Sequence, residues 1–305
     1  MTLTQRIVLE HLDRVAEDVL SLTLRGARGP LARWEPGAHI DLSLPNWLTR
    51  QYSLCGDPAD REHYRIAVRH ERLSRGGSDY IHRYLKAGRE LDISLPRNNF
   101  PLVPAREYLF LAGGIGITAV VPMLRAAHER GTPARLVYVG RSTATMPFVE
   151  QLRSSYGDSV TIVDTEREQR PDLGLLSAGL GPSAVVYCCG PASMIAAAES
   201  VFDPGQLHTE RFRPARRTFA PNTAFTAVCA RSGREVQVPV DESLLDALNH
   251  AGLPVPSGCR EGVCGSCVLT VLEGEPEHRD EIGADRSQVA ACVSRSRSPR
   301  LVLDL

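Results

Sequence analysis

Three cysteines crowded into one short loop, Cys259-Arg-Glu-Gly-Val-Cys264-Gly-Ser-Cys267, with a fourth at Cys292, constrain this chain more than any other feature. The spacing C-x4-C-x2-C with a distant fourth thiol is the ligand pattern of a [2Fe–2S] cluster. Such a cluster needs soft anionic ligands that hold each iron tetrahedrally beside bridging sulfides. Gly258, Gly262 and Gly265 suit a loop that wraps closely, where side chains would obstruct backbone N–H groups aimed at sulfur. A zinc knot is the alternative, but zinc sites usually set their cysteines in two close pairs rather than three in one loop. The other cysteines, Cys55, Cys188, Cys189 and Cys229, are scattered. The N-terminus alternates charged with apolar residues and lacks a signal peptide's pattern, so a clustered set reads as a metal site, not a disulfide framework.

The 305 residues allow two to three domains of roughly 100–150 residues each. With 43% apolar and 23% charged residues and a net charge of −1, the composition is that of a globular protein. It offers no general attraction to nucleic acid or anionic membranes. No apolar run reaches the ~20 residues of a membrane span. The expected location is the cytoplasm.

Residues 1–103 carry short strand-like runs (Ile7–Leu9, Val19–Leu24, His39–Leu44, Arg50–Leu54, Tyr64–Val68, Glu90–Leu95) between Gly, Pro, Asn and Asp turn signals, with one helical piece, Ser78–Leu85. That spacing predicts an antiparallel β-barrel domain. Residues 104–205 change texture. Strands Glu107–Ala112, Arg135–Val139, Val160–Asp164 and Ala184–Cys188 alternate with helices Ala119–Arg130 and Met146–Ser155. This predicts an α/β domain on a parallel sheet. Residues 206–222 are polar, basic and proline-containing, as in a linker. Residues 223–305 form a third, α+β domain: strands Phe225–Ala230 and Glu235–Val240, helix Leu244–Ala251 behind the cap-like Asp241-Glu242-Ser243, the cysteine loop, and strands Val268–Leu272 and Leu301–Leu303.

Two sets of residues outside the cysteine loop bear on chemistry. In the barrel, Arg75-Gly76-Gly77-Ser78 opens the helix, and small residues at a helix N-terminus make an anion site. Arg50 could add a charge-assisted contact, and Tyr52 and Ser53 suit the face and edge of a flat ring. Taken singly, the glycines are equally a turn with a cap, and a strand tyrosine is ordinary core. In the α/β domain, Gly113-Gly114-Ile115-Gly116-Ile117-Thr118 follows a strand and opens a helix, a geometry that admits a pyrophosphate. It is not G-x-G-x-x-G, so a bare glycine turn is the alternative. Cys188-Cys189-Gly190-Pro191 ends the last strand, and ligands in open parallel sheets lie beyond such ends. Arg141, after another strand, could contact a nucleotide's ribose or a 2′-phosphate.

Together these residues carry a resemblance. The segment PSGCREGVCGSCVLTVLEGEPEHRD resembles plant-type ferredoxins, which implies a β-grasp fold and Cys259, Cys264, Cys267 and Cys292 as ligands. The interval from Cys267 to Cys292 is shorter than usual there, which affects the Asp280–Ser287 loop. Arg50-Gln51-Tyr52-Ser53, the GGS triplet and CGP resemble the ferredoxin-NADP reductase superfamily. The order barrel, nucleotide domain, ferredoxin resembles its phthalate dioxygenase reductase and vanillate demethylase reductase group over essentially the whole chain.

This resemblance implies FMN rather than FAD, held by Arg50, Gln51, Tyr52, Ser53, Ala67, Arg69, Arg75, Gly76, Gly77 and Ser78. Ser74 stands where that motif has glycine, and FAD stays open. It implies NADH, with NADPH open, on Gly113, Gly114, Gly116, Thr118, Arg141, Cys189, Gly190 and Pro191. Val120-Val121-Pro122 places the usual proline a few residues late. Cys189 and Ser53 are the implied catalytic residues, Cys189 near the nicotinamide. Phe212, in Glu210-Arg211-Phe212, is either an aromatic near the flavin or a simple anchor. The implied activity is electron transfer from NADH through flavin and cluster to a terminal oxygenase, either a Rieske-type aromatic hydroxylase or O-demethylase or a cytochrome P450. Docking is expected near Arg260 and Glu261, and the chain is expected to act as a monomer. A nucleotide-binding carrier or redox sensor without turnover is the competing class.

Overall fold

The computed structural model describes residues 4–215, 217–282 and 287–305. The chain divides into two compact units, 1–210 and 211–305. The first holds two of the expected sheets, one antiparallel and one parallel.

Strands β1 (Thr4–Ala16), β2 (Val19–Gly26), β3 (His39–Ser43), β4 (Thr49–Ser53), β5 (His63–Arg69) and β6 (Glu90–Ser94) pair antiparallel in the order β4-β3-β6-β1-β2-β5. Just past β4, the Cys55 N–H donates to the Arg65 carbonyl at 2.8 Å, tying the two outer strands and bringing the sheet toward closure. Ile7 and Leu9, Leu22 and Leu24, and Ile40 and Leu42 are fully buried. Each pair is two residues apart, so one pleat face turns inward on each of these three strands. Tyr64 joins them and meets Trp34 edge-on at 6.4 Å. Helix α1 (Gly77–Tyr84) lies between β5 and β6.

The second sheet is parallel, with β7 (Glu107–Gly113) at its centre, β8 (Ala134–Gly140) and β9 (Val160–Asp164) to one side, and β10 (Ala184–Cys189) and β11 (Leu207–Glu210) to the other. Residues 108–112 of β7 are all buried, as a strand covered on both faces requires. Tyr108 and Phe110 pack with residues of α2 (Ile117–Glu129) and α3 (Val149–Tyr156). Leu109 and Leu111 pack with Ile195 and Ala198 of α5 (Ala192–Val201), and Leu173 and Leu176 of α4 (Leu173–Ala178) join that layer. Pro122 lies inside α2, where Thr118 thereby loses its usual i+4 donor.

Two features differ from the expectation. Residues 207–210, expected in the linker, form β11, which pairs in parallel register with β10 from Val186↔Leu207 to Cys189↔Glu210. All four are half-buried, so as an edge strand the segment needs no apolar face and its sequence looks like loop. Helices α4 and α5 also went unread; α5 is rich in alanine and has little amphipathic contrast.

The second unit is a mixed sheet with a helix across it, a β-grasp arrangement. Strand β12 (Phe225–Cys229) pairs antiparallel with β13 (Arg234–Val238), and β14 (Val268–Glu273) with β16 (Gln288–Ala290). Strand β18 (Arg300–Leu303) joins them, parallel to β12 and antiparallel to β14. Strands β15 (Pro276–Glu277) and β17 (Arg295–Ser296) form a separate pair. Helix α6 (Leu244–His250) buries Leu244, Leu245 and Leu248 against Phe225, Val238, Leu301 and Leu303. The Ser243 hydroxyl accepts from the Asp246 N–H at 3.1 Å and caps its start, as the sequence predicts. Within the Asp280–Ser287 loop, residues 283–286 lie outside the described residues. No helix among the described residues is long and apolar enough to cross a membrane.

Tyr187 ties the first unit's two sheets together. Its hydroxyl donates to the Pro101 carbonyl at 2.7 Å and accepts from the Val103 N–H at 2.7 Å, pinning the strap that leaves the barrel. Tyr187→Phe orphans both backbone groups, and the expected cost is about 1–3 kcal/mol, read as a lower urea midpoint for the first unit's transition.

Candidate functional site

Four thiols meet in the second unit. Cys259, Cys264 and Cys267 are buried and Cys292 is half-buried. Cys259 interacts with the thiols of Cys264 and Cys292, and Cys267 with that of Cys292. The contacts run in a chain from Cys264 through Cys259 and Cys292 to Cys267. In these contacts the accepting thiols Cys259 and Cys267 are lowered, and the donating thiols Cys264 and Cys292 raised, relative to an ordinary thiol.

The loop's backbone is shaped to match. The Glu261 N–H points at Cys259 Sγ at 3.3 Å and the Cys259 N–H at Cys264 Sγ at 3.5 Å. The Ser266 hydroxyl lies 3.1 Å from Cys264 Sγ. Gly262 has φ 73° and Gly265 φ 75°, a region that L side chains avoid. A Cβ on Gly262 would also stand 2.6 Å from Val293 Cγ2 and 3.1 Å from Asp280 Cα. Arg260 bonds Asp246 at the loop's outer edge.

In the barrel, Arg50 and Tyr52 share one face of β4. A Cβ on Gly77 would come 2.7 Å from Arg50 Cγ, so the arginine stem lies flat on the start of α1. Arg50 Nη2 donates to the Arg75 carbonyl at 2.8 Å, and Gly76 is left-handed at φ 87°. The Ser74 hydroxyl accepts from the Gly76 and Asp79 N–H groups at 3.1 and 3.3 Å. The serine that departs from the motif therefore caps the helix instead of disrupting it. Ser78 Oγ bonds Ser74 Oγ and the Glu71 N–H. Burial holds the Tyr52 hydroxyl well above the usual phenol range, against the pull of Arg50. Ser53 and Ala67 are buried.

Alternation puts Gln51 and Ser53 on the face opposite Tyr52; the Gln51 amide donates to Asp41 Oδ1 at 2.9 Å beside Arg97.

The ends of β7, β8 and β10 border a cavity of about 590 Å³ within the first unit. Gly113, Gly114, Arg141 and Pro191 line it, and Arg69 and Leu73 come from the barrel. Gly114 is left-handed at φ 54°. Arg69 is paired with Asp18 at 3.4 Å. Gly116 sits behind the lining: a Cβ there would stand 2.3 Å from the Cys189 carbonyl oxygen. A Cβ on Gly190 would stand 3.0 Å from the Gly113 backbone. The Thr118 hydroxyl donates to the Ile115 carbonyl at 2.9 Å and closes the turn.

Cys189 is 1% exposed. Its Sγ lies 3.8 Å from Glu210 Oε2. Burial and that carboxylate raise the thiol well above its usual value, and burial pushes the Glu210 carboxyl up to about 8. Both shifts favour the protonated, uncharged forms of the pair. Glu210 was legible only as part of Glu210-Arg211-Phe212. Phe212 belongs to the second unit and is 41% exposed.

Residues 228–297 match the family of 2Fe-2S iron-sulfur cluster binding domains. Over nearly its full length the chain is similar to two named reductases. It is 38% identical to the toluene-4-sulfonate monooxygenase system reductase subunit of Comamonas testosteroni, covering 95% of this chain and 96% of that one. It is 36% identical to the vanillate O-demethylase oxidoreductase of a Pseudomonas strain, covering 98% and 99%. Among solved structures, phthalate dioxygenase reductase, described as modular for electron transfer from pyridine nucleotides to [2Fe–2S], superposes with a TM-score of 0.74 at 34% identity, covering 99% and 98%. An intact type IV self-sufficient cytochrome P450 monooxygenase gives 0.92 at 37% identity; this chain spans 41% of that longer protein.

The raised carboxyl has a signed consequence. Folded Glu210 keeps a proton that the unfolded chain releases, so its contribution to stability falls as pH rises from the ordinary carboxylate range to about 8. Glu210→Gln removes that slope. The difference in melting temperature between Glu210→Gln and the parent should grow in the variant's favour across that window, as scanning calorimetry would read.

Proposed function

The chain belongs to the family of phthalate dioxygenase and vanillate O-demethylase reductases, and on that premise we propose that it takes hydride from NADH onto FMN and sends single electrons through a [2Fe–2S] cluster to a terminal oxygenase. The observation that carries this reading is the joining of three devices in one chain. They are the Arg50–Gly77 cradle, the glycine-lined cavity at the ends of β7 and β10, and the paired thiols of the cysteine loop. A carrier or sensor would need neither of the first two.

When bound, the cofactors supply the hydride chemistry and the conversion from two electrons to one. The protein's residues bind, orient and exclude water. Gly113 and Gly114 allow the pyrophosphate to approach the backbone, and Arg141 takes the ribose side. Arg50 and the N-terminus of α1 hold the flavin phosphate, which supports FMN over FAD, while Tyr52 lies along the ring and Ser53 meets its reactive edge. Cys189, Gly190 and Pro191 close the nicotinamide end, where Glu210 holds its proton and keeps the buried pair neutral. Cys259, Cys264, Cys267 and Cys292 hold the cluster, and Arg260 and Glu261 border the docking face.

The oxygenase is read as a Rieske-type aromatic hydroxylase or O-demethylase, supported by relatives of matching length that are separate reductase subunits. A cytochrome P450 is the second reading, favoured by the 0.92 TM-score to a segment of a self-sufficient cytochrome P450 monooxygenase. The reductase is expected to work as a cytoplasmic monomer.

Anaerobic addition of NADH should bleach the flavin and then the cluster's visible absorbance; an unchanged spectrum defeats the proposal. Chromatography of acid-released flavin should give FMN, and FAD would overturn the reading of the Arg50–Gly77 cradle. Cys264→Ser should abolish cluster absorbance while NADH-to-dye reduction at the flavin survives. Retained absorbance would refute the ligand assignment.

A further inference from the structure

The segment that follows β11 looks in sequence like a loose basic tether. Within the second unit it is fastened down. Glu281 gathers three contacts from it: the Ala215 N–H donates to Oε1 at 3.0 Å, Arg217 Nη2 lies 3.0 Å from Oε2, and Arg211 Nε lies 3.6 Å from Oε2. The Glu281 side chain is only 8% exposed, so water has little access to its carboxylate, and charge-assisted contacts there are directional. Two residues away, Arg279 takes a second hold. Its Nη1 donates to Asn222 Oδ1 at 2.8 Å, and its guanidinium lies 4.9 Å above the Phe219 ring.

The same short stretch supports the cysteine loop. The Glu281 N–H donates to the Gly262 carbonyl at 2.9 Å. Asp280 packs beneath Gly262, and its carboxylate accepts from the Ser294 hydroxyl at 3.0 Å. Residues 279–281 thus grip the strap from 211 to 222 on one side and the loop that carries Cys259 and Cys264 on the other.

We propose that Glu281 is a positioning residue for electron transfer: its carboxylate locks the strap to the cysteine loop, so the freedom of the chain between the two units is confined to the Glu210–Arg211 junction. This rests on the electron-transfer function proposed above and adds no chemical step to it. A free tether of that length would let its ends wander by about 20 Å, and one-electron transfer weakens steeply with distance. With the strap fastened, that spread is removed.

Stopped-flow spectrophotometry of the full holoenzyme with NADH separates the two rates. In Glu281→Ala, flavin reduction should keep the parent rate, cluster content and its visible spectrum should be unchanged, and cluster reduction should slow at least tenfold. Glu281→Gln, which keeps an acceptor for Ala215 but loses the ion pairs, should fall between. Hydrogen exchange at the Ala215 amide should accelerate in Glu281→Ala, a readout independent of turnover. Parent-rate cluster reduction in a fully loaded Glu281→Ala overturns the proposal, as does unchanged exchange at Ala215. Should Glu281→Ala lose its cluster, Arg217→Ala, which leaves the loop untouched, decides: slower cluster reduction supports the lock and an unchanged rate defeats it. If NADH fails to bleach the parent flavin, the reductase reading falls, while Ala215 exchange still tests the strap.

Discussion

Backbone touches backbone at the carboxyl ends of β7 and β10, and the first unit's chemistry depends on that approach. No side chain fits on Gly116 against the Cys189 carbonyl, and one on Gly190 would press on the Gly113 backbone. The contact exists because the strands are parallel and adjacent, so their terminal turns emerge side by side. It forms the floor of the cavity at Gly113 and Gly114 and sends Cys189 inward to Glu210. A methyl group at either glycine would pry the turns apart. The floor of the cavity is therefore built from bare main chain, with side chains such as Arg141 and Arg69 around its rim.

The thiol loop obeys a related constraint by different means. Where the sheet brings two turns together by topology, the loop draws its thiols together through left-handed glycines and N–H groups turned toward sulfur. Asp280 and Glu281 buttress that loop at Gly262. The loop is thereby held ready in shape, which shortens the reorganisation any change of charge would demand.

Much of this was legible in the chain. The cysteine spacing, the glycine turn and CGP are patterns in which each residue answers a local geometric demand, so reading them needs no knowledge of distant partners. The three sheets follow from hydrophobic period and turn residues. What stayed hidden depended on partners far away or on weak pattern. Strand β11 has no apolar face because it lies at an edge, and α5 is uniformly small. Gln51 shares a motif with Tyr52, yet the two-residue period of a strand turns it to Asp41. Glu281 sits in a run of charges that looks solvated, and its partners are 64 to 70 residues earlier.

The strap also fixes where this protein can be taken apart. A module that begins at residue 223, where the composition changes, would leave behind Arg211, Ala215, Arg217, Phe219 and Asn222. Glu281 would then keep its charge beneath the surface with its partners gone, and Arg279 would lose its aromatic cover. The transplantable cassette begins instead at residue 211. Gene fusion or shuffling that respects that seam carries the fastening along with the cluster. A recombination point a dozen residues later, though it looks like the natural joint, would inherit a frayed end.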